Sequence, residues 1–174
     1  MSKQTPFEMA EEFHDTFDPR KPLKPTAFNE TDVLHRAGFK AEELVEFLYA
    51  AADNDQQKFQ DFVTALHQSI DLAEEKVLAK NEPVTDSLVG QVDALTDLLY
   101  FIYGSFSLMG VHPEAIIKIV HQANMGKLFP DGKPHYDPVT NKVMKPANWQ
   151  TDFAPEVKIA EELQRQIKEA EEKN

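Results

Sequence analysis

The stretch VGQVDALTDLLYFIYG, Val89 to Gly104, places two aspartates in a run that is otherwise almost entirely apolar or small. Its apolar side chains recur at helical spacing and cover most of the circumference, which is typical of a helix at the centre of a bundle. Asp93 and Asp97 are one turn apart, about 40° around the axis. Two buried carboxylates so close together need a cation or a raised pKa to offset their charge.

A second apolar segment, RAGFKAEELVEFLYAAAD from Arg36 to Asp53, also carries an acid pair. Glu43 and Glu46 are three residues apart, about 60° around a helix axis. If two central helices each turn such a pair inward, the carboxylates meet across a gap that suits a hydrated divalent cation. Oxygen ligands without histidine favour Mg²⁺, with Mn²⁺ as the alternative, over Zn²⁺. The competing interpretation is that each pair is simply a solvated helix face.

The composition narrows the possible partners and compartments. The 174 residues carry a net charge of −12 and include no cysteine. Such a charge repels nucleic acid and anionic membranes, and we expect neither as a partner. The length predicts a single domain over residues 1–174. The beginning of the chain has no pattern typical of a secretory signal, so we predict a cytoplasmic protein.

Helical periodicity dominates the chain and predicts an all-α fold, a helical bundle with short connections. The exception is the segment 129–149, which the turn signals around Asp137-Pro138 and Asn141 predict to be a loop or small hairpin. Because the fourth helix is apolar on nearly every side, we also predict a homodimer or homotetramer that covers it. The predicted helices span Gln4–Phe17, about Asn29–Ala52, a third with an apolar stripe from Phe59 to Val77, about Ser87–Met109, a shorter one with Pro113 in its first turn, and a charged C-terminal helix at 154–174.

Three motifs resemble a known family. EELVE from Glu42 to Glu46, DALTDLLY from Asp93 to Tyr100 and NMGKL from Asn124 to Leu128 are similar to motifs of the all-alpha nucleoside triphosphate pyrophosphohydrolases, the MazG-like and phosphoribosyl-ATP pyrophosphohydrolase-like group. The resemblance covers roughly Phe13 to Trp149 and is strongest to the small bacterial and phage branch. Each motif alone is weak, but their order and the string NMGKLFPDGKP are more specific.

The resemblance implies a magnesium-dependent enzyme that hydrolyses a nucleoside triphosphate to the monophosphate and pyrophosphate. The metal-binding E-x-x-E and E-x-x-D motifs of the family map onto Glu43, Glu46 and Asp97. The sequence departs from the second motif, because Ala94 stands three residues before Asp97 where the family has glutamate. Asp93, one residue earlier, is the candidate for the fourth ligand.

Catalytic and substrate-binding roles follow from the chemistry of these side chains. A metal-bound water is more acidic than free water, and we predict that Glu43 or Glu46 takes its proton. Lys127, with Asn124 three residues before it, is predicted to bind the leaving pyrophosphate, and Arg36 another phosphate. Ordinary structural roles compete: Lys127 complements a helix dipole, Asn124 caps a helix end, and Arg36 pairs with a neighbouring glutamate.

Two further hypotheses concern substrate selection and the class of function. Segment 129–149 is a candidate lid over the nucleotide, in which Tyr136 or Trp149 stacks on the base, although packing against the bundle explains both aromatics equally well. The alternatives to a nucleoside triphosphate pyrophosphohydrolase are a related dUTPase-like or phosphoribosyl-ATP hydrolase, and a non-catalytic helical scaffold that binds cations or a basic partner.

Overall fold

The computed structural model describes residues 4–173, and in this range the fold is all-helical, as predicted. Residues 1–3 and 174, which the predicted domain and the predicted last helix include, lie outside the described residues. The described part contains six helices of 12 to 25 residues and one single-turn helix. They are α1 Pro6–Phe17, α2 Glu30–Ala52, α3 Gln56–Lys80, α4 Ser87–Leu108, α5 Glu114–Met125, α6 Trp149–Asp152 and α7 Glu156–Glu171.

Polar side chains at the helix ends explain where the first three helices start and stop. Thr5 forms a capping box at the start of α1, and Asn29 and Asp55 cap α2 and α3 by accepting the backbone N–H of the third helical residue. Each cap satisfies a donor that has no partner inside the helix. Asp53 and Asn81 end α2 and α3 with left-handed backbone at φ 52° and 48°.

The chain forms two compact units, and α4 contributes to both. In the unit Lys24–Leu95, α2 packs against α3, and the rings of Tyr49 and Phe59 meet edge to face with centroids 5.2 Å apart. The Gln91 side chain pairs with one backbone residue: it accepts the Phe28 N–H at 2.9 Å and donates to the Phe28 carbonyl at 3.3 Å. This pairing fixes the segment before α2 to the first turns of α4.

The other unit, called here the terminal unit, consists of the segments up to Leu23 and from Thr96 onward. Within it α5 packs against both α1 and α7. The Gln166 side chain of α7 pairs with the His112 backbone just before α5, accepting its N–H and donating to its carbonyl, each at 2.9 Å. The buried apolar residues of this unit are Met9, Phe17, Ile116, Ala123 and Trp149.

The predicted hairpin-like loop is present between α5 and α6. Tyr136 and Val143 form an isolated antiparallel bridge, and the Met144 N–H donates to the His135 carbonyl at 2.8 Å. The Asp137 carboxylate accepts the Thr140 N–H at 2.7 Å, which closes the turn. These bonds make 129–149 an ordered connection, and residues 4–173 contain no longer strand.

The prediction that α4 is buried at the centre of the fold is wrong for the single chain. Leu99 and Phe101, both on α4, are 52% and 70% exposed. The apolar stripe predicted for α3 is likewise exposed in its second half, at Ile70 and Val77. A helix that is apolar all round needs cover on several sides, and the described residues of one chain do not supply it. Despite this apolar surface, no helix within 4–173 combines the length and hydropathy needed to cross a membrane.

Candidate active site

The acid pair of α2 lies on the surface of the chain. Both Glu43 and Glu46 are exposed, and their helical spacing directs them toward one side of α2. Leu44 and Phe47, which neighbour them in sequence, are 48% and 59% exposed. The two carboxylates therefore lie beside exposed apolar side chains. Removing such apolar surface from water is favourable, so this side of α2 is a candidate for contact with a ligand or another chain.

The acid pair of α4 is exposed as well. Asp93 and Asp97 occupy consecutive turns of this continuous helix, which places their carboxylates on neighbouring positions of one face. Asp93 belongs to the unit Lys24–Leu95 and Asp97 to the terminal unit. Among residues 4–173 no three histidine, aspartate or glutamate side chains are grouped closely enough to hold a metal ion. The structure therefore presents two separate acid pairs, and the four-carboxylate site stays a prediction.

Arg36 is half-buried on α2, two turns before Glu43. The ammonium of Lys40 donates to the Arg36 carbonyl at 3.0 Å. Burial lowers the pKa of Lys40, and the nearby positive charge of Arg36 lowers it further. This stretch of α2 thus carries two cationic side chains shortly before the acid pair, in a chain that is otherwise strongly acidic.

Asn124 and Lys127 are brought together at the end of α5. The Lys127 ammonium donates to Oδ1 of Asn124 at 2.7 Å, and it lies 5.7 Å from the centroid of the Phe13 ring on α1. Both side chains are half-buried. A carboxamide oxygen and an aromatic face both attract a cation, so these two contacts restrain the position of the ammonium. The two residues thus lie on one side of the chain, as their spacing predicted, and the hydrogen bond between them is a finding of the structure.

The two aromatic residues proposed for base stacking have structural partners. Trp149 is buried, and its Nε1–H donates to the Ala123 carbonyl at 2.8 Å. The Tyr136 hydroxyl donates to the Phe17 carbonyl at the end of α1, at 2.7 Å. Burial leaves the Trp149 ring no open face for a nucleotide base, so packing explains this residue. Neither bond has a sequence signal, because the partners are 26 and 119 residues apart.

A shallow depression of about 410 Å³ lies beside the end of α5. It includes none of the predicted site residues, and we place no ligand in it. The residues that line it are Gln122, Met125, Gly126, Leu128, Asp152, Phe153 and Lys158.

Comparison with known proteins identifies the class of enzyme. Residues 10–124 match the family described as phosphoribosyl-ATP pyrophosphohydrolase. Over 97% of its length, the chain is also similar to a crystal structure from Exiguobacterium sp. 255-15, described as a "putative NTP pyrophosphohydrolase", with 39% identity, a TM-score of 0.86 and 99% of that chain covered. No functionally curated protein matches the chain.

The chain belongs to the phosphoribosyl-ATP pyrophosphohydrolase family, and it is an all-helical hydrolase acting on phosphoanhydride bonds. The predicted family resemblance, fold class and enzymatic nature are confirmed, and the scaffold alternative is not supported. The matched range contains Arg36, both acid pairs and Asn124, whereas Lys127 lies three residues beyond its end.

Proposed function

We propose that this enzyme hydrolyses a nucleoside triphosphate to the monophosphate and pyrophosphate with the help of Mg²⁺. The observation that carries the proposal is the family match over residues 10–124, which spans both exposed acid pairs. Water adds to phosphorus, the bond from that phosphorus to the bridging oxygen breaks, and pyrophosphate leaves with that oxygen. The chain needs a cation for this task because its net charge of −12 repels a triphosphate.

Glu43, Glu46, Asp93 and Asp97 are the residues proposed to hold the metal. Their carboxylate oxygens are the hard ligands that Mg²⁺ prefers, and Mn²⁺ is accepted by the same donors. When bound, the cation supplies charge neutralisation and makes a coordinated water more acidic. Asp93 stands four residues before Asp97 and has a shorter side chain than the glutamate expected three residues before it, so its role is the one most in need of a test.

Glu43 and Glu46 are proposed as the groups that remove the proton from the attacking water. A carboxylate serves as a general base when it lies within hydrogen-bonding reach of that proton, and both side chains are exposed on the same side of α2. Glu46 is the preferred candidate. Its exposure also means that neutralising it removes the base without disturbing a packed core.

Asn124, Lys127 and Arg36 are proposed to bind the phosphates. The Lys127 ammonium is already oriented by Asn124 Oδ1 at 2.7 Å, so little side-chain entropy remains to be lost when an anion binds. Phosphoryl transfer depends mainly on positioning and charge stabilisation, so an ordered cation beside the leaving group contributes directly. Arg36 adds a second, bidentate donor set on α2.

We propose that the active form is a homodimer or homotetramer in which a second copy completes the metal site. Three acids are not grouped within residues 4–173 of one chain, and the exposed apolar side chains of α4 flank Asp93 and Asp97. An interface burying about 800 Å² per partner would cover these apolar side chains. The same interface would then bury the apolar face of α4 and bring further carboxylates to the metal.

Pyrophosphate release from a panel of ribo- and deoxyribonucleoside triphosphates tests the proposal. Phosphoribosyl-ATP belongs in the panel as a second candidate substrate, because it is the substrate in the description of the matching family. Formation of pyrophosphate from any triphosphate supports the proposal, whereas formation of orthophosphate moves the cleavage to another bond. Because these substrates are metabolites of the cytoplasm, we also propose that compartment.

A further inference from the structure

The turn that ends α5 and continues to Lys127 is tighter than a regular α-helix, and the Ala123 carbonyl therefore has no backbone partner in it. The Lys127 N–H donates to the Asn124 carbonyl at 3.1 Å instead of to the carbonyl of Ala123. Carbonyls at a helix end need partners from outside the helix. The Ala123 carbonyl receives one from the Trp149 indole, at 2.8 Å and in a buried environment. The turn that carries Asn124 and Lys127 is therefore fastened to α6.

Gly126 lies inside this turn and is required there for space. Its backbone, at φ −64° and ψ −4°, is one that any residue adopts, so conformational freedom does not explain the glycine. A Cβ at this position would lie 2.3 Å from Cγ, 2.4 Å from Cδ1 and 2.8 Å from Cβ of Phe153. The Phe153 ring thus lies directly on the backbone of the turn, in contact that no other residue at 126 permits.

Phe153 cannot simply turn away from a larger neighbour. Its N–H donates to the Trp149 carbonyl at 2.9 Å, and the Trp149 side chain is itself bound to the Ala123 carbonyl. Because the Cβ of Phe153 is among the atoms that would clash, the backbone of this residue would have to move. A methyl group at 126 therefore separates the turn from the segment Trp149–Phe153 and loosens both contacts.

We infer that the segment Trp149–Phe153 is a brace that positions Asn124 and Lys127 for phosphate binding, with Gly126 and Phe153 as positioning residues. The inference rests on the proposed function for the roles of Asn124 and Lys127. The brace does not touch the substrate. It acts by holding the Lys127 backbone where the ammonium reaches Asn124 Oδ1. The C-terminal segment, which lies beyond the matched family range of 10–124, thereby becomes part of the binding apparatus.

The test compares Gly126→Ala, Phe153→Ala and the double variant by steady-state kinetics with the best substrate of the nucleotide panel. Gly38→Ala is the matched glycine control, because a Cβ there meets nothing within 4 Å. Phe7→Ala is the matched phenylalanine control, since this ring on α1 is 72% exposed. Far-ultraviolet circular dichroism and the thermal midpoint establish that each variant is folded at the assay temperature.

We expect Gly126→Ala to raise KM at least fivefold while kcat stays within twofold, and we expect both controls to match the wild type. In the Phe153→Ala background, the same glycine substitution should raise KM by a clearly smaller factor, because the ring atoms at 2.3 and 2.4 Å are gone and only the Cβ contact at 2.8 Å is left. An unchanged KM in Gly126→Ala overturns the inference, and so does an equal effect of the substitution with and without the ring.

Two further outcomes remain decisive. If Gly126→Ala does not fold, Phe153→Ala carries the test: a raised KM with unchanged kcat supports the brace, and wild-type kinetics overturn it. A wild-type enzyme that releases no pyrophosphate refutes the proposed function and with it the phosphate-binding role of the brace. If the wild type is active and both Gly126→Ala and Phe153→Ala have its KM, the brace is refuted and the proposed function is not.

Discussion

The Nζ atom of Lys127 lies 2.7 Å from Oδ1 of Asn124, three residues earlier on the last turn of α5. The carboxamide orients the ammonium, and the Phe13 ring on α1 lies on another side of the same charge. A lysine that only complemented the helix dipole would need neither partner. The two contacts hold the Lys127 ammonium in one place, and the proposed role in phosphate binding requires such a fixed position.

Removing the Lys127 ammonium should weaken substrate binding. We expect Lys127→Ala to raise KM by about 10- to 100-fold, because a hydrogen bond to a charged group contributes about 1.5–3 kcal/mol. Asn124→Ala should raise KM by a smaller factor, since the ammonium remains but loses its orientation. Lys118→Ala, on the same helix, is the control and should match the wild type. Steady-state pyrophosphate release measures all three, and equal KM values for Lys127→Ala and Lys118→Ala would refute the assignment.

The Trp149 indole should contribute more to stability than the Tyr136 hydroxyl. Trp149→Phe leaves the buried Ala123 carbonyl without its donor, at a cost of about 1–3 kcal/mol. For a chain of this size each kcal/mol lowers the thermal midpoint by about 2–4 °C. Tyr136→Phe removes a similar bond to the Phe17 carbonyl, but Tyr136 is 39% exposed, so water can take the place of the hydroxyl. Calorimetry should therefore give a lower thermal midpoint for Trp149→Phe than for Tyr136→Phe. A lower midpoint for Tyr136→Phe would contradict this account of the α5 end.

The charge cluster on α7 should make stability depend on pH in the acid range. Glu162 accepts hydrogen bonds from Arg165 at 2.7 and 2.8 Å and from Gln166 at 2.8 Å, and these lower its pKa from 4.5 to about 2. Because the folded-state pKa lies below the unfolded value, the ionised carboxylate stabilises the folded chain above pH 4.5. That contribution is lost as the pH falls from 4.5 toward about 2.

The measurement for this cluster is the thermal midpoint of wild type and Glu162→Gln as a function of pH. The wild type should be the more stable of the two above about pH 5, and the difference should shrink steadily and disappear near pH 2. Glu161→Gln, one residue earlier on the same helix, serves as the control for removing an exposed charge. A difference that stays constant down to pH 2 would show that the Arg165 contact does not stabilise the fold.

The exposed apolar surface of α4 should be buried at an interface between copies of the chain. Light scattering after gel filtration should give a mass of at least twice the 19.8 kDa of one chain. Phe101→Glu should lower that mass to one chain and abolish activity, because a charge cannot be buried there without a partner. Leu23→Glu changes an equally apolar, fully exposed side chain outside the helices and should alter neither property. A wild-type enzyme that is fully active at the mass of one chain would rule out the shared site.

Local signals predicted the helices well, and long-range contacts account for what they missed. The second helix was predicted to begin at about Asn29, and Asn29 is its cap, because a cap is decided by residues two or three positions away. The bonds from Trp149 to Ala123 and from Gln91 to Phe28 join residues 26 and 63 positions apart, and no periodicity encodes them. Periodicity correctly predicted that α4 is a helix with apolar side chains on nearly every side. The same pattern results whether those side chains pack against their own chain or against a second copy.

The same distinction applies to the site. The three-residue spacing of Asn124 and Lys127 predicted that they share one helical face, and the structure adds a hydrogen bond between their side chains. Whether the two acid pairs meet depends instead on how separate helices, or separate chains, come together. For that reason Glu43, Glu46, Asp93 and Asp97 stay proposed ligands, and their test must be chemical.

Pyrophosphate release by wild type and Glu46→Gln, each assayed with Mg²⁺, with Mn²⁺ and with EDTA, tests the central claim most directly. Glu74→Gln, an exposed glutamate on α3, controls for the loss of one negative charge. The account predicts metal-dependent release in wild type and Glu74→Gln, and a loss in kcat of at least about 100-fold in Glu46→Gln, as expected when a base and ligand is removed. Release that survives EDTA, or that is equal in wild type and Glu46→Gln, would contradict the account.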